Sequence, residues 1–490
     1  MNSEAGNGTV PDGLTALERQ VASDLARLNQ PAANWVLPRE GQDGNALLDV
    51  LVVGGGMCGQ TVAQALMREG VRNLRVIDRA PFGAEGPWGT FARMETLRSP
   101  KHLTGPDLGI PSLTYRAWHE AQHGAEGWAA LHKIDRLDWL RYLLWVRRMT
   151  GIPVENDTRL LELSPGAGYA TAVIDGPAGC ERIHAREVVL ALGRDGSGAP
   201  RWPRWPSFDP AKRHGPVYHS ADTIDFAALR GRRVAVLGAG ASAFDNAATA
   251  LEAGAAGAEI FARRSQLPQV NKSKWTAFPG FLHGFMALDD AQRWRFYTYI
   301  FDEQVPPPWE SVLRCERHAG FALHLATPWD DVRADADGVA LLTPRGELRF
   351  DAAIVATGFD VDLIEREEFA GFRDRVLLWA DRIDPPRAAA HPEAARFPYL
   401  GPGFELIARD PAAAAGLDRL RLFSWGSTMS HGAIAGDIPG LAIGAQRLAR
   451  AVVTGLFTDD AELHWQRLLA HNEEELLPTR WFVPLAERTR

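Results

Sequence analysis

Two stretches of the 490-residue chain carry one pattern: "VLVVGGGMCG" at 50–59 and "VAVLGAGASA" at 234–243. Each is an apolar run that breaks into Gly-x-Gly-x-x-(Gly/Ala) and continues into an alanine-containing helical segment and a second apolar strand. The copies superimpose without a gap, with Gly54 on Gly238 and Gly70 on Gly254. Strand, tight glycine turn, helix and strand open a doubly wound βαβ unit. The duplication therefore commits the chain to an α/β fold with two Rossmann-like dinucleotide-binding domains.

The positions within each loop have separate tasks. Gly54 and Gly238 permit the tight turn, and Gly56 and Gly240 let backbone approach a pyrophosphate. Gly59 and Ala243 must be small where helix meets strand. The free N–H groups at the helix start, Ser242 among them, then face the phosphates. What separates the copies is the end of the second strand. Copy one ends "VIDRAP", placing Asp78 and Arg79 there; Asp78 can accept hydrogen bonds from ribose hydroxyls. In copy two Ala262 replaces the acid and "ARRS" follows, so Arg263 and Arg264 can bind a 2′-phosphate. The first site reads as FAD, the second as NADPH. A flavin reduced by a diffusible hydride carrier needs both nucleotides bound at once, and two loops meet that need.

Around the loops the chain divides into an N-terminal helical extension (1–47), a first part of the FAD-binding domain (48–214), an NADPH-binding domain (215–345) and a return part of the FAD-binding domain with C-terminal helices (346–490). Leu14, Leu17, Val21, Leu25 and Leu28 predict an amphipathic helix in the extension. The segment 135–151 predicts a helix with Leu137, Leu140, Leu144 and Val146 on its apolar side, laid over the other face of the first sheet. Pro- and Ala-rich 385–411 reads as loop. An insertion at 265–314 holds "NKSKWTAFPGFLHGF" and "RWRFYTYIF", aromatic runs that suit either a dry pocket beside a flavin or a crowded core.

Composition excludes several classes. The chain is 46% apolar and 23% charged with a formal charge of −8, and its interspersed charges form no basic face for nucleic acid. The start lacks a basic and an apolar region, and no apolar run reaches the ~18 residues of a membrane span, so a soluble cytoplasmic protein is expected. Cys58, Cys180 and Cys315 lie far apart without a C-x-x-C pair, which removes a redox dithiol relay and a structural zinc site; no metal is expected. Only five residues are lysine, two of them in "NKSK".

With these features the chain resembles the class B flavoprotein monooxygenases, the group of flavin-containing, N-hydroxylating and Baeyer–Villiger monooxygenases, from about Asp49 to Phe457. "RHGPVYHSADT" gives Gly215 and His219 at the spacing of the family's Phe-x-Gly-x-x-x-His motif, with Arg213 in place of the Phe and Thr223 in place of a closing aromatic. "VATG" at 355–358 matches its Ala-Thr-Gly element, "GPWGT" its Gly-x-Trp element near the flavin, and "GDIPG" its C-terminal flavin contact. The resemblance implies cofactor contacts at Trp88, Leu97, Thr357, Gly358 and Asp437. His219 is either such a contact or a structural histidine supporting the interdomain turn. It further implies that NADPH reduces FAD, that O2 is captured as a C4a-(hydro)peroxide, and that one oxygen atom passes to a small organic substrate by N- or S-oxygenation or Baeyer–Villiger insertion. Asn271 and Lys101 are the expected polar groups near the oxygenating flavin or the NADP+ amide. A flavin dehydrogenase or reductase without oxygen transfer and a non-catalytic redox sensor stay open beside this reading, as does self-association of the chain.

Overall fold

The computed structural model describes residues 12–484 and 487, apart from 104, 214, 336 and 478. Residues 1–11 of the expected N-terminal extension, and the last three of the C-terminal part, lie outside them. The extension forms helix α1 (Asp12–Arg27), with Val21 fully buried.

The first glycine loop joins β1 (Leu48–Val53) to α2 (Met57–Arg68), and β2 (Leu74–Ile77) follows. Helices α3 (Tyr115–Ala130) and α4 (Arg136–Thr150) lead to β3 (Val154–Glu155), β4 (Arg159–Ser164), β5 (Ala170–Gly176) and β6 (Gly179–Leu190). The sheet order is β3-β2-β1-β6-β5-β4. β6 is long enough to serve two purposes: its first half pairs antiparallel with β5, and its second half lies parallel to β1, Leu190 opposite Val53.

Alternation of side chains along a strand places Val50 and Val52 on one face and Leu51 and Val53 on the other. The first face packs on α2, α4 and a C-terminal helix, Leu441–Asp459. The second is covered by the β4–β6 meander and segments of the return part. Helix α4 thus shares the layer of α2 and does not cover the other face as expected. Its buried side is Trp139, Tyr142, Leu143 and Val146, one rotation from the expected stripe, and Leu137 is exposed. Three large rings, Trp139, Tyr142 and Trp145, displace the leucines because they remove more apolar surface from water.

The second domain repeats the plan. It contains β7 (Val217–His219), β8 (Arg233–Leu237), α5 (Ala241–Glu252), β9 (Gly257–Phe261) and β10 (Phe321–His324). A meander follows, β11 (Asp331–Asp335), β12 (Gly338–Thr343) and β13 (Gly346–Phe350), and then β14 (Ala352–Val355). The five-stranded sheet, β10-β9-β8-β14-β7, is parallel throughout. Helix α5 covers one face and the meander the other. The expected border at 345/346 is therefore misplaced: β13 pairs with β12, and β14 sits between β8 and β7. The chain returns to the first sheet only after Val355, where β15 (Leu420–Leu422) joins β6.

Segment 385–411, expected as loop, contains the short helices Pro385–Ala390 and Pro392–Ala395. They help to seat the insertion, whose helix Asp290–Glu303 buries Trp294, Tyr297 and Ile300 against Trp379, Phe397 and Met429. The aromatic insertion thereby ties the second domain to the return part of the first.

Candidate active site between the two nucleotide loops

Both glycine loops take the shape that their sequences require. Gly54 has φ +105° and Gly238 φ +128°, values that side chains rarely adopt. A Cβ at Gly54 would strike the carbonyl oxygen of Ala191, and one at Gly238 would lie 2.5 Å from that of Ala356. Ala191 and Ala356 follow the neighbouring strands β6 and β14, so each loop crosses the end of the adjacent strand at backbone distance. The α2 and α5 helices start at Gly56 and Gly240 with no side-chain cap, and a Cβ at Gly240 would meet nothing within 4 Å. An open cradle above uncapped N–H groups fits a pyrophosphate.

The strand ends differ as expected. Asp78 accepts from the N–H groups of Gly55 (2.7 Å) and Ala80 (2.8 Å), which fixes the carboxylate beside the first loop; burial raises its pKa. Two oxygens with further lone pairs can still receive ribose hydroxyls. Arg79 pairs with Asp195 at 2.9 Å on the rim. In copy two Arg263 is exposed and its guanidinium has no hydrogen bond or ion pair among the described residues, whereas Arg264 donates to the Asp302 carbonyl (3.2 Å). The residues present thus fit FAD at the first loop and NADPH at the second.

Between the domains lies a cavity of about 190 Å3. One wall is Met94–Arg98, held because the Leu97 N–H donates to Ile134 (2.8 Å), the Arg136 N–H donates to Glu95 (2.9 Å), and the Arg136 guanidinium holds the carbonyls of Met94 (2.9 Å) and Trp88. The opposite wall is the end of the insertion, from Pro308 to Arg314. Arg98 crosses the gap and donates to the Pro306 carbonyl at 2.6 Å. Burial lowers its pKa, and Asp245, Arg194, Asp437 and Glu310 all lie close enough to act on it. Asp245, on α5, accepts from the Ser311 hydroxyl (2.5 Å), and burial raises its pKa. Arg194 stacks over Trp425 at 3.8 Å and lies 3.7 Å from Asp437. A charge-lined gap between the two domains can bind a small anion or dipole.

Of the residues expected from sequence, Leu97 lines this cavity, and Asp437 lies beside Arg194. Trp88 packs edge-on against Trp139. Thr357 and Gly358 sit at the domain crossing, where the Thr357 hydroxyl donates to the Arg201 carbonyl and the Arg201 N–H donates to Gly358 (2.9 Å). Asn271 carries a buried Oδ1 with no partner. One expectation fails. Lys101 points away from the cavity, donating to the carbonyls of Trp128 (2.5 Å) and Leu131 (2.6 Å), where it closes the end of α3. The orphan carbonyls of a helix C-terminus attract a cation more strongly than an open site would. His219 is fully buried against Trp202 and Phe359, and Nδ1 accepts from the Ala221 N–H (3.1 Å), which fits the structural one of its two expected roles. Sequence reasoning missed Arg98, Arg194 and Asp245. A signal existed for two of them: Arg98 follows Leu97, an expected cofactor contact, and Asp245 is the one carboxylate in the apolar first turns of α5.

A sequence profile described as pyridine nucleotide-disulphide oxidoreductase matches residues 51–276, a span that includes both loops. The FAD-dependent urate hydroxylase of Xanthomonas campestris pv. campestris is 43% identical over 473 residues, 95% of this chain and 97% of that protein. The chain belongs to the FAD-dependent monooxygenases. In fold this monooxygenase resembles the ornithine hydroxylase of Pseudomonas aeruginosa (TM-score 0.64, 17% identity, 84% of this chain and 100% of that one). The L-lysine 6-monooxygenase of Pseudomonas syringae is similar at TM-score 0.63 and 18% identity, over 83% of this chain and 99% of that one. The two-dinucleotide-binding α/β fold and FAD as cofactor are borne out, and the enzyme transfers oxygen from O2 to a small molecule. A dehydrogenase or a redox sensor without oxygen transfer is set aside. The disulphide chemistry in the profile's description has no counterpart: all three thiols are free, and burial pushes those of Cys58 and Cys315 up to about 12. Among the described residues no helix is long and apolar enough to cross a membrane.

Proposed function

We propose that this monooxygenase hydroxylates urate, with NADPH as electron donor. The observation that carries the reading is the likeness to a urate hydroxylase over nearly the whole of both chains. The site's chemistry supports it. Urate is a planar, weakly acidic purine with carbonyl acceptors around its edge, and a guanidinium presents a planar fork of donors that matches such an edge. Arg98 offers that fork inside the interdomain cavity, with one donor held by Pro306 and the rest unbonded among the described residues. One oxygen of O2 enters the purine and the other leaves as water, with NADPH supplying the two electrons. FAD, when bound, supplies the oxygen activation. The chain's own work is to position and to dry. Asp78 and the first loop hold the flavin nucleotide, Arg263 the phosphorylated ribose, Asn271 the carboxamide of NADP+, and the aromatic insertion keeps water from the gap.

The test is oxygen and NADPH consumption with urate, ornithine and lysine offered separately. Urate should be consumed one-for-one with NADPH and O2, without release of hydrogen peroxide, and Arg98→Lys should raise the KM for urate by about tenfold or more. NADPH oxidation that urate leaves unchanged, or that yields only peroxide, would remove urate as substrate.

A further inference from the structure

The C-terminal arm of the enzyme has an apolar surface that stays exposed among the described residues. Helix Ala461–Ala470 contains no buried residue. Trp465, Leu468 and Leu469 fall at i, i+3 and i+4 and form one stripe, exposed by 52%, 62% and 59%. Leu476, Leu477 and Trp481, just beyond, are exposed to a similar degree. The arm is nonetheless held at its base. Asp460, 1% exposed, accepts from Arg39 (2.8 Å) and Arg186 (2.8 Å), and His464 stacks on Phe457 at 4.8 Å. A helix fixed at one end and unburied along its length is pre-organised to meet a partner.

On the α1/α3/α4 layer lies an open groove of about 740 Å3. Its floor is Trp118, Trp145 and Ile152, each 5% exposed, and Leu14 and the 68% exposed Phe82 stand at its rim. We infer that the arm of each copy seats in this groove of a second copy, giving a dimer by reciprocal exchange. Area decides for a second copy. The arm's exposed leucines and tryptophans together present on the order of 800 Å2, what one partner contributes to a standard interface, and reciprocal exchange doubles it. Gln122, Arg141, Arg147 and Arg148 also line the groove, which has an apolar floor and a basic rim. An apolar helix stripe laid over such a floor is a recurrent mode of recognition, and exchange of identical elements closes with twofold symmetry. The inference is independent of the substrate.

Sedimentation equilibrium of the flavin-loaded full chain at micromolar concentration tests it, with FAD content as the check on folding. The parent should be a dimer. Leu468→Asp/Leu469→Asp and Phe82→Asp should each retain FAD and raise the dimer dissociation constant at least about 100-fold. Mixing the two variants should restore part of the dimer, since one carries an intact groove and the other an intact arm. A monomeric parent, or a dimeric arm variant, would overturn the inference. So would a groove variant that stays dimeric, or a mixture that regains nothing, because the arm would then seat elsewhere.

Discussion

Arg263→Ala offers the sharpest test of the second nucleotide site. Its guanidinium is exposed, forms no hydrogen bond or ion pair among the described residues, and follows Ala262 at the end of β9. Removing it breaks no hydrogen bond or ion pair among the described residues, so the melting temperature should not move. A charge-assisted hydrogen bond contributes about 1.5–3 kcal/mol, and exposure places this one in the lower half of that range. About 1.5–2 kcal/mol corresponds to a roughly ten- to thirty-fold rise in the KM for NADPH. The value for NADH should stay within about twofold, because NADH has no 2′-phosphate to lose. Arg264→Ala provides the contrast: its side chain holds the Asp302 carbonyl at the end of the insertion helix, so its loss should disturb both coenzymes and stability together. Steady-state kinetics with each coenzyme decides. Equal losses for NADH and NADPH in Arg263→Ala, or a parent that already prefers NADH, would refute the assignment of the phosphate to this arginine.

Three further outcomes are expected. Asn271→Ala should leave reduction of FAD by NADPH close to the parent rate and raise the fraction of O2 released as hydrogen peroxide; unchanged peroxide release would place the unpartnered Oδ1 outside the oxygenating site. Lys101→Met strips the cation from the carbonyls at the end of α3 and should lower stability by about 1–2 kcal/mol with peroxide release unchanged, whereas a kinetic defect without a stability loss would return Lys101 to the site. Burial depresses His219 from 6.5 to about 4 and His431 to about 3. Above pH 6.5 both rings are neutral folded and unfolded; as pH falls from 6.5 toward 4 the unfolded chain takes up protons that the folded one refuses. Melting temperature should therefore decline across that window, and His219→Gln should flatten part of the decline; a profile identical to the parent's would show that His219 is not the group responsible.

What the sequence by itself determined was whatever depends on a residue and its near neighbours in the chain. Gly54 and Gly238 were legible because a left-handed turn that grazes the next strand excludes a side chain, and the strand before each loop because a buried parallel strand must be apolar throughout. The contrast of Asp78 with Ala262 was legible because the two copies share one register. The aromatic insertion was visible as a sequence feature, but its role was not: Trp294 and Tyr297 pack on Trp379 and Met429, residues that lie about a hundred positions away. Only the tertiary structure decided which charges face the cleft. Lys101 and Arg98 are three residues apart and chemically alike, yet one caps α3 and the other crosses to Pro306. A long cationic side chain goes to whichever carbonyls the fold brings within reach, and those carbonyls come from other elements. The same holds for the border at 345/346 and the buried side of α4, which strand pairing and ring volume settled once the layers had met.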